Sequence, residues 1–192
     1  MARVTEKTFA AVGTLLVLCA CGIASAQEVA LATNTPESTF LMDAIRGDIA
    51  EIKMGELAQM KGQSEGVRDF GEMLVEDHTK AQKKTADLAK EMNVPVPTQP
   101  TPEQTAKHDA LARLSGAEFD RQFVAEMVKG HQEEIAKYEK QAQSGDSKVA
   151  ELAEDLLPTL RQHLATAQRL QSGGDASHGD ASHDRTPERS NN

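Results

Sequence analysis

Aromatic side chains make up 3% of this chain, with no tryptophan and a single tyrosine. Sheets are built from aromatic and β-branched residues, so a β protein is disfavoured from the start. Cysteine is equally scarce: Cys19 and Cys21 are the two in the chain, both close to the N-terminus. A domain formed from the rest of the sequence cannot carry a disulfide and must rely on packing, aided or not by a metal. Positive charge is in deficit, with 21 Lys and Arg against 30 Asp and Glu and a net charge of −9. That balance argues against nucleic acid and against anionic lipid, both of which need clustered basic residues. No Gly-x-Ser-x-Gly setting, phosphate loop or dinucleotide fingerprint is present, so acyl transfer and nucleotide chemistry have no foothold.

What the sequence does contain is a secretory start and long helical patterns. Arg3 and Lys7 precede an apolar run from Phe9 to Ile23 and a small-residue cleavage site, Ala24-Ser-Ala26, so residues 1–26 read as a removable signal and the protein as exported. The run is too short to be preferred as a membrane span, and none is expected in the mature protein. An alternative reading takes Leu18-Cys-Ala-Cys21-Gly22 as a lipoprotein box, with Cys21 lipidated and the protein tethered to a membrane.

After a lead segment at 27–36, the residues from 37 to 171 form one helical domain. Thr35-Pro-Glu37 starts the first helix, which runs to Lys61 and stops at Gly62. The second spans Ser64 to Met92 on spaced apolar residues. Four prolines between Asn93 and Pro102 force an extended crossover. Thr101-Pro-Glu-Gln104 then reads as a capping box opening a short helix to Leu114. A long helix from Ala117 to Gln143 follows, and a last one, capped by Asp146, runs from Ser147 to Gln171 with Pro158 inside it. Residues 172–192, with Gly-Asp-Ala-Ser-His twice in tandem, lack the apolar content to fold and read as a disordered tail. The fold class is all-α: an antiparallel, ferritin-like four-helix bundle with a long Pro-rich crossover and a short extra helix between its second and third long helices.

Three of the long helices carry a histidine where their apolar stripe predicts a leucine. His78 follows Phe70 and Leu74, His131 follows Phe123 and Met127, and His163 follows Leu156 and Leu160, each near the middle of its helix. The first helix offers Glu51 at a similar level, with Asp48 as an alternative three residues earlier. Three neutral imidazoles and a carboxylate suit Zn, Fe, Mn or Cu. Asp77, Glu126 and Glu134 are placed to orient an imidazole from behind. The competing reading has each histidine satisfied by a neighbouring carboxylate or carbonyl and fixing the register of an Ala-Leu-Met core. A di-iron site of the ferritin kind is disfavoured, because the residues three before the histidines are Val75, Val128 and Leu160 instead of glutamates.

These residues also carry a resemblance. Phe40, Gly47, Glu51, Gly55-Glu-Leu-Ala58, Val67-Arg-Asp-Phe70, Met73-Leu-Val-Glu-Asp-His78, Phe119-Asp120, Met127, His131, Leu157-Pro158 and His163-Leu164 resemble an exported bacterial family, domain of unknown function 4142, over about residues 38–171. The resemblance implies a ferritin-like bundle of the periplasm or outer envelope with no established activity. It singles out Glu51, Asp77, His78, Asp120, His131, Pro158 and His163. The segment from Phe119 to His131 is similar to a second exported family, domain of unknown function 305, associated with copper. Where that family has adjacent histidines, this chain has Gly130-His131-Gln132. Three functions stay open: a metal-binding protein of metal handling or envelope stress, an envelope module that binds another protein and uses its histidines for packing, and a metal-dependent enzyme.

Overall fold

The computed structural model describes residues 35–145 and 147–173. The signal segment, the Cys21 alternative and the residues of the tail after Gly173 lie outside these limits. Five helices follow one another: α1 Pro36–Lys61, α2 Glu65–Glu91, α3 Pro102–Ala112, α4 Gly116–Ala142 and α5 Lys148–Gln171. The four long ones form two hairpins, α1 with α2 and α4 with α5, packed together into an all-helical bundle. Among the described residues no helix is long and apolar enough to cross a membrane.

The helix ends follow their local chemistry. Thr35 caps α1 in a reciprocal box with Ser38, each backbone N–H donating to the other's hydroxyl at 3.0 Å. The same box recurs at Thr101 and Gln104, where the Thr101 N–H donates to Gln104 Oε1 at 2.7 Å. The cap of α5 is Ser147 rather than Asp146, its hydroxyl accepting from the Ala150 N–H at 3.2 Å. Helix α3 ends two residues earlier than its pattern suggests, because the Arg113 and Leu114 amides reach back only three residues, to Ala110 and Leu111. Gly116 opens α4 at φ +60, a conformation that favours glycine.

Asp120, on α4, has a structural task that its place in the sequence does not disclose. Its carboxylate accepts from the Gln63 and Ser64 amides at 2.9 and 2.8 Å, which ties the α1–α2 turn to the second hairpin. A backbone-close helix approach lies within the first hairpin. A Cβ at Gly55 would stand 2.6 Å from the Gly71 carbonyl oxygen, and one at Gly71 would stand 2.7 Å from that of Gly55. The two glycines therefore let α1 and α2 touch backbone to backbone.

Apolar residues fill the bundle on both sides of a polar layer. Towards one end lie Met54, Phe70, Leu74, Phe119, Phe123 and Met127. Towards the other lie Ile45, Ile135, Tyr138, Leu156 and Leu160. On α2, α4 and α5 the residue that separates the two clusters is a histidine.

Candidate metal centre

His78, His131 and His163 are 1%, 0% and 0% exposed, and they meet. Their ring centroids form a triangle with sides of 5.9, 5.2 and 5.3 Å. One nitrogen from each can be chosen so that all three lie within 4.8 Å of one another, and no other group of His, Cys, Asp and Glu does so among the described residues. The carboxylate of α1 that reaches this layer is Asp48, buried at 1% exposure. Glu51, one turn further on, stands outside the close group, with an enclosed Oε2 that has no hydrogen-bond partner.

Which nitrogens are free follows from their partners. His78 Nδ1 is 2.9 Å from Asp48 Oδ1 and donates to it, while Nε2 has no partner and offers a lone pair once the ring gives up its second proton. His131 Nδ1 is 3.0 Å from the Met127 carbonyl oxygen, which can only accept, so Nδ1 carries the proton and Nε2 the lone pair. Met127 thus serves the site through its backbone, while its side chain belongs to the apolar core. His163 Nε2 is 3.1 Å from Asp77 Oδ2, and its Nδ1 is 3.3 Å from His131 Nε2.

The run Met127 carbonyl, His131, His163, Asp77 has acceptors at both ends and three contacts in the middle, whereas two neutral imidazoles bring only two N–H protons. With both outer contacts made, the His131 and His163 lone pairs face each other. A third positive centre is missing from the arithmetic.

Burial works against a proton filling that gap. It pushes His131 down to about 4, helped by the charge of His78. Burial, with His78 and His131, pushes His163 down to about 3 despite the opposing effect of Asp77. His78 is the exception. Burial acts against its charge, but the Asp48 hydrogen bond and the fields of Asp48, Glu134 and Glu51 outweigh it and carry His78 up to about 9. Burial likewise raises Asp48, so both partners of that pair hold on to a shared proton. Glu51 is raised by burial, and Glu134 is lifted to about 8 by burial and by the neighbouring Glu51 and Asp48, against the pull of His78.

Of the carboxylates expected behind the imidazoles, Asp77 holds His163. No hydrogen bond joins Glu134 to an imidazole, although its charge is felt at His78. Glu126 is engaged with Lys107 at 2.9 Å, tying α3 to α4 instead of orienting a histidine. Two glycines make room for the glutamates between α1 and α4. Glu134 Oε1 lies 3.9 Å from where a Gly47 Cβ would be, and Glu51 Oε1 lies 3.8 Å from the equivalent point at Gly130.

Free of metal, the protein is expected to lose stability as the pH rises from 6.5 to 9. His78 binds its proton more tightly folded than unfolded, from an ordinary 6.5 up to about 9, and Glu134 does the same from 4.5 up to about 8. Stability from both is present at low pH and falls through this window, because the folded state binds more protons than the unfolded one. The opposing contributions of His131 and His163 change only below 6.5. Urea unfolding at the two pH values measures the effect, and a loss of a few kcal/mol is expected. Stability that is flat or rising would contradict this electrostatic picture.

The arrangement is that of a helical bundle with three convergent imidazoles enclosed at mid-height. The chain belongs to the family described as domain of unknown function DUF4142, which it matches over residues 23–170. Among solved structures it is similar to a crystal structure of a DUF305 fragment from Deinococcus radiodurans. The TM-score is 0.64 at 18% identity, covering 72% of this chain and 97% of that one, a likeness of fold. No curated protein matches the chain.

Proposed function

We propose that this protein binds one transition-metal ion through His78, His131 and His163 and serves metal handling in the cell envelope, to which its N-terminal segment directs it. The observation that carries this reading is the convergence of three ring nitrogens, one of which must shed a proton to bind, whose opposite ring nitrogens are each held by a carboxylate or a carbonyl. Metal-binding histidines are oriented in this way by outer hydrogen bonds. Two donors about 2.1 Å from one ion at a tetrahedral angle lie about 3.4 Å apart, close to the 3.3 Å between His131 Nε2 and His163 Nδ1. A cation there supplies the positive centre that the proton count lacks. An all-imidazole donor set favours Zn, Cu or Fe over the oxygen-seeking Mn. Glu51 enters as an ionisable neighbour of the ion, with Asp48, Asp77 and Glu134, able to give up a proton when the ion arrives.

The enclosure of the donors favours holding an ion over turning over a substrate. A second reading, a packing role in a module that binds another envelope protein, draws on the same three outer hydrogen bonds, which satisfy one nitrogen of each ring. Metal analysis of protein purified without a histidine tag distinguishes the two. About one ion per chain is expected in the wild type, and almost none in a His78→Ala/His131→Ala variant. Equal, near-zero contents in both would end the metal reading.

A further inference from the structure

Enclosed donors raise the question of how an ion reaches them, and one wall of the site is not closed. A cavity of about 130 Å³ lies between α2 and α5. Its inner lining includes His78 and His163 together with their partners Asp48 and Asp77, and its outer lining includes Lys80, Lys84 and Asp155. We propose that the metal enters and leaves through this cavity, with the Lys84–Asp155 ion pair as its movable cover.

Four features mark this wall. The cavity has room for about four waters, so a partly hydrated ion fits without unfolding the bundle. Carboxylates are spaced along it: Asp155 at the surface, then Asp77, 26% exposed and hydrogen bonded to His163, then the buried Asp48. The cover is weak. Lys84 and Asp155 meet at 2.7 Å across the two helices with side chains 55% and 59% exposed, and such solvent-exposed pairs are weak and screened by salt. On the α5 side the lining residues Asp155, Leu156, Thr159 and Leu160 flank Pro158, where the helix has no N–H to donate to the Glu154 carbonyl. The α1–α2 seam, by contrast, is sealed by the backbone contact at Gly55 and Gly71.

Filling the cavity without touching a ligand tests the route. Ala81 lines it and bonds to no metal-site group through its side chain. Zinc uptake by the full chain is followed by stopped flow, and release is followed against a chelator. An Ala81→Leu variant is expected to slow both steps by about tenfold or more, with affinity nearly unchanged, since the obstruction affects the path and not the bound state. A Lys84→Gln variant is expected to speed both. Gly47→Ala fills space on the α1–α4 side, where a Cβ meets only Glu134 Oε1 at 3.9 Å, and is expected to leave the rates as they are. Unchanged rates in a folded, zinc-binding Ala81→Leu protein, or equal slowing in Gly47→Ala, would overturn the route while leaving the metal site standing. The route rests on that site, so absence of zinc binding by the wild type would overturn both, and is told apart by the missing uptake signal.

Discussion

A His131→Leu variant is expected to bind metal at least about a hundredfold more weakly than the wild type and, without metal, to unfold at a higher temperature. The two effects have one origin. His131 sits at 0% exposure with its Nε2 lone pair 3.3 Å from that of His163, an arrangement that is unfavourable until a cation occupies the gap. Leucine is similar in bulk, suits the surrounding cluster and removes one of the facing lone pairs. The Met127 carbonyl left behind keeps its ordinary helical partner. Relief of the facing lone pairs outweighs the lost hydrogen bond to Met127, and a gain of about 1 kcal/mol is expected, which raises the melting temperature by a few degrees. If the histidines only fix register, the opposite follows: the variant loses two hydrogen bonds, gains nothing in return and melts lower. Calorimetry of the two metal-free proteins, followed by zinc titration of each, separates the readings by sign.

Gly71→Ala is expected to cost about 2–3 kcal/mol in stability, large for the addition of one methyl group. The new Cβ would stand 2.7 Å from the Gly55 carbonyl oxygen, 2.9 Å from the Ala58 Cβ and 3.1 Å from the Gln59 amide nitrogen. None of these is the end of a flexible side chain, so α1 and α2 must separate along their whole contact. The gain in helix propensity, about 1 kcal/mol, offsets only part of that. Gly130→Ala supplies the contrast, because its Cβ would meet only Glu51 Oε1 at 3.8 Å, an ordinary contact, and the propensity gain then dominates. Urea denaturation of the two variants checks the pair. A Gly71→Ala protein as stable as the wild type would show that the helix approach is looser than described.

Much of this architecture is legible in the chain. The Thr35 cap with its following proline, the capping box at Thr101, the prolines of the crossover and the apolar stripes fix where helices start, stop and face, because these are local effects. That the three histidines share one level also follows from local counting, since each lies near the middle of a helix of similar length. What escapes the sequence depends on distances shorter than a helical turn. Asp48 and Glu51 lie three residues apart on one face, and pattern alone cannot decide which of them touches His78; the packed helices place Asp48 there. Glu126 shares the helix of His131 but is claimed by Lys107, a partner on a different helix. Asp120 stands out in the sequence only through the family resemblance, and its task as the clamp of the α1–α2 turn shows only in the packed structure. The cavity beside His163 opens between α2 and α5 with α1 and α4 behind it, an outcome of packing, and only the proline in α5 hints at its position.

X-ray absorption at the metal edge of zinc-loaded protein tests the central claim most directly, with the tail histidines replaced in a His178→Ala/His183→Ala background so that only the bundle can bind. The prediction is one zinc per chain with three imidazole nitrogens at about 2.0–2.1 Å, and loss of that signature when His131 becomes leucine. Zinc that dialyses away, or that shows only oxygen neighbours, would contradict it.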